Sequence, residues 1–255
     1  LGSDKEKKMS FIDHLEELRH RIIVCLIAMG IGFAICYAFK ESLFRILMRP
    51  LTMAMEPGQK MIFTGLTEAF FCYLKTALLA GLILAMPVIM YQIWSFVGPG
   101  LYNREKRFLL PLVFLSVIFF VAGALFGYFI VFPFAFKYLL SFSTDIISPM
   151  PSMAEYFSLA SILLLAFGLV FELPLVLTML GRIGIVTPSF LSRNRKYAIL
   201  LIFTAAAFIT PTPDVVNQCL MAIPMMILYE VGILGVRLFG KREEEIQSKN
   251  PLFFS

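Results

Sequence analysis

Six apolar runs, at about residues 22–39, 69–97, 108–136, 156–180, 197–210 and 215–236, constrain this chain more than any other feature. Roughly 20 apolar residues in helical geometry span the ~30 Å hydrocarbon core of a bilayer, so runs of this length read as transmembrane helices. Hydrophobic residues make up 59% of the sequence, charged residues 15%, and Phe alone supplies 27 positions, well outside the composition of a soluble domain. The expected architecture is an all-α, polytopic integral membrane protein of six spans. The connectors leave no room for a separate soluble domain. The organisation reads as a leader at 1–8 of tag or disordered character, one six-span domain over 9–240, and a tail at 241–255. The first run follows a basic segment like a signal peptide, yet it is too long for one and further spans come after it, so it reads as a retained anchor.

The net charge of +5 does not point to nucleic acid, because Lys and Arg are scattered over short segments between apolar runs. Sixteen of them lie in the amino-terminal segment, the second and fourth connectors and the carboxy-terminal segment. The alternate connectors hold five: Lys40, Arg45, Arg49, Lys60 and Lys137. By the positive-inside rule both termini are expected in the cytoplasm. Cys25, Cys36, Cys72 and Cys219 lie in or beside apolar runs without CxxC or His at ligand spacing, which indicates neither a metal site nor a disulfide framework.

Pro87, Pro111, Pro133, Pro174 and Pro224 interrupt the runs, and each removes a backbone hydrogen bond, which predicts a kinked, concave bundle. The first connector, 40–68, carries Pro50 and the turn signal Pro57-Gly58 and is expected to be irregular. The fifth run, 197–210, reaches only ~21 Å as a helix and is too short for an ordinary bilayer.

Before the first run, Phe11 to Arg21 has the spacing of an amphipathic helix, with Asp13, Glu16, Glu17 and His20 on its polar face. Ser10 and Asp13 suit a capping box at its start. The carboxylates on that face stay solvated, pair with Arg21 four residues beyond Glu17, or await a cationic partner. Glu172 is the acid deepest in an apolar run. A charge there costs roughly 2.5–3.5 kcal/mol on insertion scales, so the side chain is expected to be protonated, hydrogen-bonded, or facing a wet cavity. Glu105 has basic neighbours, and alone it reads as a screened surface pair.

Taken in order, these residues carry a family resemblance. The stretch from His14 to Arg19 (HLEELR) resembles the amino-terminal signature of TatC, the large polytopic subunit of the twin-arginine protein translocase. So do Ala85 to Trp94 (AMPVIMYQIW), Phe96 to Tyr102 (FVGPGLY), Glu105 with Arg107, Phe171 to Pro174 (FELP), Thr212-Pro213-Asp214 and Ala222-Ile223-Pro224. The match runs from residue 9 to about 240. It departs at Arg104, where some members carry His, and at Gly98 and Gly100, where Ala also occurs.

The resemblance implies a receptor for folded cargo proteins bearing twin-arginine signal peptides. It implies work with the single-span membrane proteins TatA and TatB, self-association in a receptor complex, and drive by the proton-motive force rather than nucleotide. The expected location is the bacterial inner membrane, or a thylakoid membrane if plastid. No enzymatic activity, cofactor or nucleic-acid partner is implied. By residue-to-residue carry-over, Glu17, Glu105 and Arg19 bind the signal, while Pro50, Phe96, Glu172, Asp214 and Gln218 serve transport or partner contact. Two adjacent guanidiniums repel each other and each presents a planar fork, so carboxylates from two segments suit them. A secondary transporter of a small solute is the alternative, since Pro-broken helices and intramembrane acids serve both classes.

Overall fold

The computed structural model describes residues 11–55, 61–63, 65–97, 109–142, 150–210 and 214–240, with only the backbone of 11–14 and 97. Ten α-helices are found among them. They are α1 (Phe11–Ala38), α2 (Lys40–Ala54), α3 (Glu68–Val97), α4 (Leu109–Phe126), α5 (Phe132–Leu140), α6 (Met153–Phe171), α7 (Leu173–Ile183), α8 (Pro188–Arg193), α9 (Arg195–Ile209) and α10 (Val215–Phe239). A π-helical turn, Gly127–Val131, joins α4 to α5. Among the described residues, five stretches are long and apolar enough to cross a membrane: α1, α3, α4 through α5, α6 through α7, and α10. The fifth apolar run forms α9, whose 15 residues make it as short as expected.

Lipid tails are as apolar as leucine, so hydrophobicity alone does not drive transmembrane helices together, and close packing between small residues has to. The contact between α1 and α3 shows this directly. A Cβ on Gly32 would lie 2.5 Å from the carbonyl oxygen of Gly81, and one on Gly81 would lie 2.5 Å from the amide of Phe33. The backbones therefore touch at a point where no side chain fits. Two main apolar clusters complete the core. One gathers Leu47, Leu51, Phe132, Phe136, Phe167, Ile202 and Met221 from α2, α5, α6, α9 and α10. The other joins Met86, Met90 and Trp94 of α3 to Phe120 of α4 and Leu175 and Met179 of α7.

The first connector differs from expectation. Its first part is not irregular but forms α2, an amphipathic helix that buries Leu47, Met48, Pro50 and Leu51. Pro50 does not end it, because the hydrogen bond that Pro cannot make is replaced by tertiary contacts. The Ile46 carbonyl, four residues earlier, accepts from the Tyr128 hydroxyl at 2.6 Å, and the Leu47 carbonyl accepts from the Tyr156 hydroxyl at 2.6 Å. Residues 61–63 then run beside 151–153, with the Met153 amide donating to the Ile62 carbonyl at 3.0 Å.

The prolines act in three ways. Pro111 sits in the first turn of α4, where its missing N–H has no intrahelical partner to lose. Pro133 and Pro174 lie at the starts of α5 and α7, just after the π turn and the break at Glu172. Pro87 and Pro224 sit inside α3 and α10, which continue through them. The fourth connector closes α7 with Gly184 at φ 91°, a left-handed cap that only glycine adopts freely, and Ile185 N–H bonds back to the Leu180 carbonyl at 2.9 Å. Thr187 then caps α8.

Candidate functional site

Where α1 meets the last turns of α3, its polar face forms one wall of an open concavity lined by Glu16, Glu17, His20, Arg21, Tyr91, Gln92 and Ser95. The Gly32–Gly81 contact sets the helices close enough for side chains to bridge them here. Arg21 is the bridge. Its Nε donates to Glu17 Oε1 at 3.1 Å, and Nη2 contacts the same oxygen. Nη1 reaches the backbone carbonyl of Gln92 at 3.4 Å and its side-chain Oε1 at 3.3 Å, while Nη2 reaches the Ser95 carbonyl at 3.3 Å. Of the alternatives open in the sequence for Glu17, the pair with Arg21 is the one adopted.

Both nitrogens that reach Glu17 use one oxygen. Glu17 Oε2 is buried and has no hydrogen-bond partner among the described residues. An ionised carboxylate accepts through both oxygens, so the arrangement leaves an acceptor beside the concavity. Glu16 adds a second carboxylate to the same lining, and it is exposed. A donor-rich cation fits these features: hydrogen bonds to an ionised acceptor are short and roughly twice as strong as neutral ones.

The other residues singled out in the sequence divide by position. Arg19 is exposed on α1, and Phe96 is half-buried one residue past Ser95, so both lie at the Glu17 end of the bundle. Pro50, Asp214 and Gln218 lie toward the opposite end. Pro50 is buried in α2. Asp214 caps α10, accepting from the Asn217 amide at 2.8 Å, and Gln218 donates to the Phe203 carbonyl at 3.0 Å, tying α10 to α9. Glu105 lies outside the described residues, as do the leader 1–8 and the tail 241–255.

Glu172 sits between α6 and α7 with 7% of its surface exposed, and neither carboxyl oxygen has a hydrogen-bond partner among the described residues. Of the alternatives open in the sequence, a hydrogen bond to a described residue is not the one adopted. Glu230, by contrast, forms an exposed 2.8 Å pair with Arg195, worth about 0–1 kcal/mol.

Sequence reasoning overlooked Gln92 and Ser95, which hold Arg21 through two carbonyls and an amide oxygen. Backbone acceptors leave no trace in residue type. Glu68 was overlooked too: its Oε1 accepts from Ser152 Oγ and the Ala154 amide, both at 2.8 Å, and its Oε2 from the Gly65 amide at 3.2 Å. Its position at the start of α3, three residues after Gly65, was the available signal. No group of three or more His, Cys, Asp or Glu residues suited to a metal occurs among the described residues.

Comparison with known proteins places this geometry in context. Residues 13–224 match the TatC family, described as Sec-independent protein translocase protein. The chain is 61% identical over 242 residues to a Sec-independent protein translocase protein TatC of Desulforapulum autotrophicum, covering 95% of this chain and 89% of that one. It is 45% identical to the TatC of Carboxydothermus hydrogenoformans, covering 94% and 97%. A crystal structure of the twin-arginine translocase receptor TatC superposes with a TM-score of 0.78 at 43% identity, covering 88% of this chain and 98% of that one. A multi-pass helical membrane protein that matches this family over most of its length, and aligns with its relatives nearly end to end, belongs to the TatC family of Sec-independent protein translocase proteins.

Proposed function

We propose that this protein is the core receptor subunit of a twin-arginine translocase, and that the concavity between α1 and α3 takes the paired arginines of a signal peptide. One observation carries the reading: Glu17 Oε2 is buried beside that concavity with no partner among the described residues, while Arg21 occupies only Oε1. Glu105 supplies the second carboxylate, so each guanidinium has an acid of its own, and Arg19, exposed on α1, takes part in binding the signal. Pro50, Phe96, Glu172, Asp214 and Gln218 serve transport and contact with the single-span partners TatA and TatB.

The imbalance of basic residues supports six spans, with α9 as the fifth, and a cytoplasmic location for both termini. Residues 9–240 then act as one transmembrane unit in the inner membrane, and the protein moves folded cargo with the proton-motive force rather than catalysing a reaction. In this orientation the Glu17 end faces the cytoplasm, where signal peptides arrive.

Binding of a twin-arginine peptide and its twin-lysine counterpart to the detergent-solubilised protein tests the assignment. Lysine presents a point charge without a fork and binds less well. Glu17→Ala and Glu105→Ala each lose most of the binding, and the double variant loses little more, because one uncompensated arginine already weakens its neighbour. Equal affinity for the two peptides, or full affinity in the double variant, refutes the receptor reading.

A further inference from the structure

Glu172 is a buried acid whose carboxyl oxygens, as the side chain stands, accept no hydrogen bond from the described residues. With Phe120 of α4 packed against Gly168 of α6, and Gly123 against Phe167 and Phe171, one further turn along each helix sets Glu172 beside Ser116, which is itself fully buried. Its Oγ lies 2.6 Å from Trp94 Nε1 on α3. An indole N–H can only donate, so Ser116 must accept from Trp94, and its single proton is left to point elsewhere. In the middle of a helix such a proton can go to the carbonyl four residues back, as it does from Thr76, Ser161, Thr178 and Thr204. Ser116 makes no such bond among the described residues, and the Glu172 carboxyl is the acceptor beside it.

Trp94 is also placed to report on the concavity. Its neighbours Gln92 and Ser95 are the residues whose carbonyls hold Arg21. Any displacement of this turn of α3, when a new cation competes for Glu17, moves the indole that anchors Ser116.

We propose that Trp94, Ser116 and Glu172 form a directed hydrogen-bond chain, indole to hydroxyl to carboxyl, which holds Glu172 as an acceptor and ties it to the floor of the Glu17 concavity. Ser116 is its positioning residue. The link from the concavity to the buried acid rests on the receptor reading above; the chain itself does not.

Trp94 is the sole tryptophan of the sequence, so its fluorescence reads the chain without labelling. In the detergent-solubilised protein, Glu172→Leu shifts the Trp94 emission, and the shift disappears when the same change is made in a Ser116→Ala background. An effect carried by packing would persist in both backgrounds. No shift in either background, or the same shift in both, overturns the chain. Elution volume and thermal midpoint show whether Ser116→Ala is folded. If it is not, Ser116→Cys, which keeps the volume but donates weakly, replaces it.

A second titration uses a twin-arginine peptide. It changes the Trp94 emission of the wild type, and Ser116→Ala, with unchanged peptide affinity, loses part of that response. An undiminished response in Ser116→Ala overturns the link to the concavity. Failure of the wild type to bind peptide refutes the receptor reading instead, and the Glu172→Leu comparison still decides the chain.

Discussion

Glu68→Ala should loosen the end of the bundle opposite Glu17. One carboxylate there accepts three hydrogen bonds and joins two segments: Oε1 accepts from Ser152 Oγ and the Ala154 amide, both at 2.8 Å, and Oε2 accepts from the Gly65 amide at 3.2 Å. Together they fasten the start of α3 to the short pairing of 61–63 with 151–153. Hydrogen bonds to a charged group contribute about 1.5–3 kcal/mol each. The Gly65 bond is long, and Ala154 is exposed, so water replaces part of what the variant loses. The net cost is then roughly 2–4 kcal/mol. At 1.4 kcal/mol per tenfold, local opening of this segment rises about 30- to 700-fold. Hydrogen exchange followed by mass spectrometry in detergent reads this at the Met153 and Ala154 amides. Melting followed by a thiol-reactive dye gives a second measure, through the buried Cys36 and Cys72. Glu68→Gln keeps an acceptor oxygen but loses the charge, and falls between wild type and Glu68→Ala in both assays. Unchanged exchange at 153 and 154 in Glu68→Ala would refute the idea that this carboxylate holds the segments together.

Gly81→Leu drives a side chain into the backbone of α1 near Phe33; it destabilises by about 1–3 kcal/mol and weakens twin-arginine peptide binding by moving Arg21 off α3, whereas a wild-type melting midpoint would count against backbone contact there. In a background lacking the four native cysteines, a cysteine at position 66 reacts with an impermeant reagent from outside the cell and one at position 193 does not; the reverse pattern inverts the proposed orientation. Four leucines added to α9 extend its ~22 Å by about 6 Å toward the bilayer thickness, which reduces contact with single-span partners or transport. Unchanged transport at normal expression would remove any role for the short helix.

The membrane class and its spans were legible in the sequence because a bilayer imposes one requirement, a sufficient apolar length, and the runs state it residue by residue. The short fifth run and the amphipathic start of α1 follow from the same counting. Pro50 shows where counting stops. As a local signal it breaks helices, and α2 exists because the Tyr128 and Tyr156 hydroxyls, about 80 and 110 residues away in sequence, take up neighbouring carbonyls.

The candidate site divides the same way. Glu17 with Arg21 is an i, i+4 pair that helical spacing already allowed, and the depth of Glu172 could be counted along its run. That Arg21 would take one oxygen of Glu17 and leave the other came from Gln92 and Ser95, on a helix some 70 residues away. That helix is brought within reach by a glycine contact, which periodicity does not record. Sequence spacing determined which residues share a helix face and how long each helix is. Tertiary structure decided which acceptors are already occupied, since a hydrogen bond depends on distances between segments that the order of residues leaves open.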